Sequence, residues 1–192
     1  MIKYPTKKTT PLKQTNFNGK LGMSLEEDIN QTNTYYLTYG LANIHKKPTP
    51  VQVVSVNYPA RNKAKIVEAY YKKPSTTDYN GVYKGFALDF EAKETNHVSL
   101  FSLNYIHQHQ LEHLKDVSNH GAIAFLIIRF SRYNETYLLF YQQLASFLQN
   151  NQRKSIPRSY FQEHAVLISY SLTPPVDYLP IIEQALKTRS DL

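Results

Sequence analysis

The sequence predicts an α/β domain built around a mixed β-sheet, and three observations lead to this prediction. Segments with the apolar patterns of strands alternate along the chain with segments of helical periodicity, as in layered α/β domains. The 192 residues, 42% of them apolar and 13% aromatic, are enough for one domain with a sizeable core. The most apolar run, residues 122–130, is about half the length of a membrane span. Because the chain also has no cysteine and no signal-like N-terminus, we expect a cytoplasmic protein without disulfides.

Local signals in the first part of the chain predict an arm followed by a helix. Residues 1–22 are polar and basic without periodicity, which indicates a flexible N-terminal arm. Ser24 and Glu27 have capping-box spacing, so a helix is predicted to begin here and to end at Gly40. The next predicted elements are a short strand at 41–45, a strand rich in β-branched residues at 51–56 and a short helix at 63–71.

Turn signals and apolar patterns organise the remainder of the chain. Asn80-Gly81 is a strong turn signal, and Lys84-Gly85 is a second possible turn. Residues 122–130 carry apolar side chains on both faces, which predicts a buried strand, and Gly121 ends the helix before it. The remaining predicted elements are strands at 79–84, 86–93, 135–141 and 165–169, helices at 106–117, 142–150 and 178–187, and a loop at 151–163.

The net charge of +7 is concentrated in two segments. Residues 1–25 carry five lysines, and the basic residues of 45–73 face only one acid, Glu68. A polyanionic ligand would suit such a distribution, although a solvated basic surface explains it equally well. The second segment is also aromatic and bounded by prolines, so we expect residues 46–74 to form an insertion that projects from the core. Its basic residues are Lys46, Lys47, Arg61, Lys63, Lys65, Lys72 and Lys73.

The candidate chemistry lies on the predicted strand 86–93. Alternate side chains of a strand share a face, so Asp89, Glu91 and Lys93 point one way while apolar residues point to the core. If a turn brings Asp78 beside this strand, carboxylates converge with a lysine. Magnesium usually takes one or two carboxylates and activates water for phosphodiester hydrolysis. The spacing of Asp78, twelve further residues and Glu-x-Lys resembles the PD-(D/E)xK nuclease signature. The alternative is a solvated, charged strand face.

The predicted helix 106–117 adds further polar residues. Gln110 and His113 lie on one helical face, from which Gln110 could offer a carbonyl oxygen to a metal ion. His107, His109 and His113 raise the alternative of a zinc site, which is disfavoured because no carboxylate or cysteine lies at ligand spacing. Glu26 and Glu27 could also reach the site, or they could be solvated residues that favour the helix dipole.

Several longer motifs resemble one protein family. They are Gly22–Asn30 (GMSLEEDIN), Ile44–Pro50 (IHKKPTP), Pro74–Gly81 (PSTTDYNG) and Asp89–Thr95 (DFEAKET), and the similarity continues through Ile106-His107 and Gln110 to Ile127–Phe130. Together they resemble the RecU family of bacterial Holliday junction resolvases over roughly residues 20–140.

The resemblance implies a restriction-endonuclease-like core, with a mixed sheet flanked by helices and a projecting stalk at about residues 46–74. It implies a single nuclease domain at 23–192 that acts as a homodimer. The expected activity is magnesium-dependent cleavage of four-way DNA junctions by symmetric paired nicks, in recombination and repair, with manganese as a substitute ion. Association with the nucleoid and contacts with recombinase and branch-migration proteins are further expectations of the resemblance.

Residue by residue, the resemblance implies a complete site. The implied metal ligands are Thr76, Asp78, Glu91 and Gln110, and the implied catalytic residues are Asp78, Glu91 and Lys93. Junction contacts are expected from Lys46, Lys47, Arg61, Lys63 and Lys65. Thr77-Asp78 stands where many members of the wider nuclease superfamily have Pro-Asp, and the role of Asp89 is left open. The alternatives are a duplex-DNA repair nickase of the same fold, and a non-catalytic protein that binds junctions or anneals strands.

Overall fold

The computed structural model describes residues 24–60, 62–72 and 76–190, with the backbone alone at 189 and 190. The predicted arm at 1–22 and the predicted DNA contact Arg61 lie outside the described residues. The helices are α1 (Leu25–Thr38), α2 (Gln108–Asn119), α3 (Tyr141–Asn150), α4 (Arg158–His164) and α5 (Leu179–Ser190), with a 3₁₀ turn at Leu103–Tyr105. The strands are β1 (Asn43–Lys46), β2 (Val51–Asn57), β3 (Lys65–Tyr71), β4 (Tyr79–Tyr83), β5 (Phe86–Thr95), β6 (Leu100–Ser102), β7 (Ile123–Phe130), β8 (Glu135–Phe140), β9 (Ser155–Pro157) and β10 (Val166–Ile168).

A central mixed sheet organises the fold. Within the described ranges six strands form this sheet in the order β1-β4-β5-β7-β8-β10, and β5 and β7 are its parallel pair. Alternate residues of the fully buried β7 point into two apolar clusters. One cluster packs under α1 and α5, and the other packs under α2, α3 and α4. Helices therefore flank both faces of the sheet, and the predicted α/β class with a mixed sheet flanked by helices is confirmed.

Helix α1 begins where the capping signal predicts. The Ser24 hydroxyl accepts a hydrogen bond from the Glu27 backbone, and the Glu27 carboxylate accepts one from the Ser24 backbone. A carboxylate oxygen of Glu94 on β5 accepts a hydrogen bond from the Leu25 N–H at 3.1 Å. The first turn of α1 is thereby fixed against the central strand.

The hairpin β4–β5 turns at Lys84-Gly85, the second of the two predicted positions. Both residues have positive φ, 48° and 83°, as a two-residue hairpin loop requires. The turn predicted at Asn80-Gly81 is wrong, because both residues lie within β4. Gly81 faces Ile44 of β1, and a Cβ atom here would overlap the Asn43 carbonyl oxygen and lie 2.5 Å from the Ile44 Cα. This glycine therefore serves close strand approach rather than a turn.

Strands β2 and β3 form a separate two-stranded antiparallel sheet, which we call the stalk hairpin (Val51–Tyr71). Its side chains are largely exposed, and Tyr71 is 83% exposed. The helix predicted at 63–71 is wrong, because residues 65–71 of this segment form β3 and pair with β2. The β-branched and aromatic residues there suit cross-strand contacts, and no apolar helical face needs burial.

The loop predicted at 151–163 is also wrong, since it contains β9 and α4. Strand β9 pairs with β6, and this pairing across distant sequence gives no local signal. Phe161 then buries its ring completely in the cluster under α4. In the described part of the chain, no helix is long and apolar enough to cross a membrane.

Candidate active site

The hairpin β4–β5 brings Asp78 beside Glu91. Tyr79 pairs with Phe90, so the register extended by one residue places Asp78 opposite Glu91 on the same face. The Asp78 N–H donates a hydrogen bond to Glu91 Oε2 at 3.0 Å. Lys93 Nζ bonds Glu91 Oε1 and lies 4.0 Å from Asp78 Oδ2. The structure thus brings together the three residues predicted to be catalytic.

The other face of the hairpin is locked by aromatic packing. The Tyr79 ring stacks on Phe90 at a centroid distance of 4.8 Å, and Phe90 stacks on Phe125 of β7 at 4.6 Å. All three rings are buried. This stack fixes the register of β4 and β5, and with it the position of the carboxylates on the opposite face.

The acidic face is covered rather than solvated. Glu91 is 0% exposed and Asp89 is 7% exposed, although both lie on the polar face of β5. Helix α2 packs against β5 and β7 on this side. The alternative of a solvated, charged strand face is therefore wrong, because both carboxylates are buried. A buried, ionised carboxylate needs compensating partners.

Burial changes the acidity of Glu91. Desolvation raises its pKa from 4.5 to about 7, and the nearby Asp78 carboxylate acts in the same direction. The Lys93 ammonium favours the charged form and opposes this shift. A buried carboxylate that one lysine compensates only in part is suited to bind a further cation.

A second set of polar residues lies beside this pair, and we call it the Asp89 cluster (Lys47, Thr77, Asp89 and His113). Lys47 Nζ lies 3.0 Å from Asp89 Oδ2 and 3.1 Å from Thr77 Oγ1. The Thr77 hydroxyl also donates a hydrogen bond to Asp89 Oδ1. His113 Nε2 of α2 lies 3.2 Å from Asp89 Oδ2, at ion-pair distance but outside hydrogen-bond geometry. The cluster joins three separate segments of the chain around one buried carboxylate.

The other two predicted metal ligands are placed differently. Gln110 is buried on α2, where its side-chain oxygen accepts a hydrogen bond from the His107 N–H at 2.9 Å and caps the helix. The Thr76 hydroxyl donates to the Thr77 carbonyl at 3.3 Å. These hydrogen bonds do not connect Gln110 or Thr76 to the carboxylates. Of the four predicted ligands, Asp78 and Glu91 are therefore the two that a hydrogen bond brings together.

The converging donors fit magnesium better than zinc. Among the described residues, the side chains that converge are the carboxylates of Asp78 and Glu91, and no group of three or more histidine and acidic side chains is arranged to hold a metal ion. Magnesium usually takes one or two carboxylates and keeps water or phosphate as its other ligands. Asp78 is 41% exposed, so the pair that it forms with Glu91 opens to solvent on one side.

The predicted DNA contacts occupy distinct surroundings. Lys63 and Lys65 are exposed on the stalk hairpin. Lys46 pairs with Glu26 of α1 at 2.5 Å, so the first turn of α1 reaches the end of β1. Lys47, the next residue, instead directs its ammonium inward to Asp89.

Sequence reasoning missed the contacts that Thr77 and Lys47 make with Asp89. Their contacts depend on the pairing of β4 with β1 and β5, which brings residues 47, 77 and 89 together. The position of Asp89 on the same strand face as Glu91 was the available signal.

Comparisons with known proteins agree with the motifs. Residues 20–184 match the sequence model of the family described as Recombination protein U, RecU. A protein of Bacillus cytotoxicus named Holliday junction resolvase RecU is 52% identical over 168 residues, which cover 86% of this chain and 84% of that protein. Proteins of the same name from Bacillus mycoides and Bacillus cereus are each 46% identical over 194 residues, covering 95% of this chain and 96% of those proteins.

Among solved structures, the Holliday junction resolvase Hjc of Archaeoglobus fulgidus has a TM-score of 0.45 and 14% sequence identity to this chain. The match covers 74% of this chain and 93% of that one, and it is too distant to bear on the site. The extent of the family match and the identity to its members are decisive: the chain belongs to the RecU family.

Proposed function

We propose that this chain is a crossover junction endodeoxyribonuclease, which resolves four-way DNA junctions with a divalent metal ion by paired nicks. The observation that carries the proposal is the convergence of Asp78, Glu91 and Lys93 across one hairpin, with Glu91 fully buried. The name Holliday junction resolvase, carried by relatives that match nearly the whole chain, supports the choice of substrate.

Asp78 and Glu91 would hold the metal ion, with Thr76 and Gln110 as further predicted ligands. Magnesium, or manganese in its place, would polarise a phosphate oxygen and lower the pKa of a bound water. The Asp78 N–H orients the Glu91 carboxylate through its bond to Oε2. The aromatic stack on the opposite face of β5 holds β4 and β7 against the strand that carries Glu91.

Hydrolysis forms a bond between a water oxygen and phosphorus and breaks one P–O bond of the DNA backbone. Lys93 carries its positive charge between Glu91 and Asp78 and is partly open to solvent. In that place it can orient the attacking water and offset the negative charge that develops on the phosphate. Lys93 therefore acts on the transition state, and we expect its loss to reduce cleavage far more than binding.

The stalk hairpin gives the enzyme a basis for choosing junctions over duplexes. It is exposed along both strands and carries Lys63 and Lys65, which can contact phosphates. We infer that it enters the centre of the junction and reads its shape rather than its base sequence. A homodimer would present two equivalent sites to the near-two-fold junction and so produce the paired nicks. Binding to recombinase or branch-migration proteins stays a prediction of the family resemblance.

A cleavage assay on a labelled mobile four-way junction tests the proposal. We expect symmetric nicks with magnesium, none with chelator, and none with the Lys93→Met or Glu91→Gln variants, which should still bind the junction. Nicks of equal rate in linear duplex would instead indicate a duplex nickase. Binding without cleavage by the unaltered protein would indicate a non-catalytic junction-binding protein.

A further inference from the structure

We propose that Lys47 and Asp89 are positioning residues, which hold the segment Thr76–Asp78 against β5 and thereby set the affinity of the site for its metal ion. The inference rests on the proposed function and deepens it. It assigns Lys47 to the interior of the protein rather than to the DNA surface.

Lys47 contacts the catalytic segment through both its backbone and its side chain. Its N–H donates to the Asp78 carbonyl oxygen at 2.7 Å. Its ammonium contacts Thr77 at 3.1 Å and Asp89 at 3.0 Å. Thr77 and Asp78 are thus both held by a single lysine.

Asp89 is the centre to which these contacts converge. Its Oδ1 accepts the Thr77 hydroxyl and its Oδ2 lies within 3.2 Å of both Lys47 and His113. Both carboxylate oxygens are therefore engaged by protein groups. His113 stands one helical turn from Gln110 on α2, so the cluster also links β5 to the helix that carries another predicted ligand.

The surroundings of Lys47 differ from those of its neighbour. The Lys47 side chain is 19% exposed and that of Lys46 is 38% exposed. Since Asp89 is buried, its charge needs the Lys47 ammonium, and removing one partner of a buried ion pair leaves the other uncompensated. An ammonium committed in this way is poorly placed to neutralise a DNA phosphate.

The position of Lys47 also joins the stalk hairpin to the site. The chain leaves the sheet for the hairpin at Lys47 and returns from it into Thr76–Asp78, beside the pair Lys46 and Tyr79 that joins β1 to β4. The bond from Lys47 N–H to the Asp78 carbonyl joins the two chain segments that flank the hairpin. The residues that position Asp78 are therefore the residues at the root of the stalk hairpin.

Metal affinity without DNA is the first measurement. Free Mn²⁺ is titrated against the full chain and followed by its electron paramagnetic resonance signal, at equal protein concentration for each variant. Residues that orient metal ligands typically contribute about ten- to a hundred-fold to affinity. We expect Lys47→Met and Asp89→Asn each to weaken Mn²⁺ binding about ten-fold, while Lys84→Met, which removes an exposed ion pair with Glu183, leaves it unchanged.

The double variant and the folding control separate positioning from general damage. We expect the double variant Lys47→Met with Asp89→Asn to lose less affinity than the two single effects combined, because no unpaired buried charge remains. Thr77→Val removes the hydroxyl that contacts both Lys47 and Asp89 but leaves their ion pair in place, so it reports on the cluster even if Lys47→Met does not fold. We expect it to weaken Mn²⁺ binding about three-fold or more, an order-of-magnitude figure for lost side-chain hydrogen bonds.

Junction binding in chelator and single-turnover cleavage complete the test. We expect Lys47→Met to bind the junction within about two-fold of the unaltered protein, and to need about ten times more magnesium for half-maximal cleavage.

Unchanged Mn²⁺ affinity in Lys47→Met and Thr77→Val, with or without a lower melting temperature, would overturn the inference. Weaker junction binding by Lys47→Met would also overturn it, if the slope of log Kd against log salt fell by about one, because that change indicates the loss of one phosphate contact. If the unaltered protein binds Mn²⁺ but cleaves no junction, the proposed function fails while the Mn²⁺ comparison still judges the inference.

Discussion

Replacing Glu91 by glutamine should stabilise the metal-free protein at neutral and higher pH. Burial places the pKa of Glu91 at about 7 instead of 4.5. A tenfold change in proton affinity corresponds to about 1.4 kcal/mol, so ionising Glu91 costs the folded protein about 3 kcal/mol. Glutamine keeps the shape of the side chain and its acceptor for the Asp78 N–H, but it carries no charge.

The direction of the pH dependence follows from the raised pKa. Below pH 4.5 Glu91 is protonated in both the folded and the unfolded chain and contributes no difference. Between pH 4.5 and about 7 the unfolded chain ionises first, so the free energy of unfolding falls as the pH rises. The stability difference between Glu91→Gln and the unaltered protein should therefore grow across this window and level off above it at about 3 kcal/mol.

Urea denaturation in chelator measures this difference at several pH values between 5 and 8.5. The 16 tyrosines and the absence of tryptophan make tyrosine fluorescence a suitable probe, alongside circular dichroism. Glu163→Gln is the control for the substitution itself, because the Glu163 side chain is 71% exposed. A difference between Glu91→Gln and the unaltered protein that stays constant over this range would refute the reasoning, as would one that shrinks as the pH rises.

Three further predictions concern the metal ion, the strand pairing and the stalk hairpin. At pH 8, saturating magnesium should raise the melting temperature of the unaltered protein but not of Glu91→Gln, because only the carboxylate form binds the ion. Gly81→Ala should lower the free energy of unfolding by about 2 kcal/mol or more, measured by urea denaturation, because the added methyl group overlaps the backbone of β1. Replacing Lys63 and Lys65 by alanine should reduce the slope of log Kd for the junction against log salt by about two, measured by fluorescence anisotropy.

Each of these predictions has a result that contradicts it. Equal magnesium stabilisation of Glu91→Gln would place the ion elsewhere. A Gly81→Ala protein of unaltered stability would mean that β1 and β4 can separate without cost. An unchanged salt slope would mean that Lys63 and Lys65 do not contact the DNA. Lys84→Met, which lies outside the stalk hairpin, is the control for loss of a lysine charge.

The sequence was sufficient to predict the parts of the fold with strong local signals. The capping box at Ser24 located α1, and the doubly apolar run at 122–130 located the buried strand β7. The alternation along 86–93 also put Glu91 and Lys93 on the same face, as observed. Among the apolar residues of this strand that were predicted to point to the core, Phe86 is an exception, because it lies at the hairpin end of β5 and is 41% exposed.

The errors arose where partners distant in sequence decide the local structure. Asn80-Gly81 has the composition of a turn, but the close approach of β1 requires the glycine within a strand. Residues 65–71 become a strand because β2 lies beside them, and β9 forms because β6 lies beside it. For the same reason the inward orientation of Lys47 follows from the sheet order and could not be read from its place in a basic segment.

The central position of β5 has a consequence for how the molecule opens. This strand is hydrogen-bonded to β4 on one side and to β7 on the other, and its Glu94 also holds the start of α1 and Ser131. Amide protons along β5 should therefore be among the slowest to exchange with solvent, whereas those of the exposed stalk hairpin should exchange early. Glu91 and Lys93 then belong to the part of the protein that opens last, while Asp78 sits where the chain returns from the part that opens first.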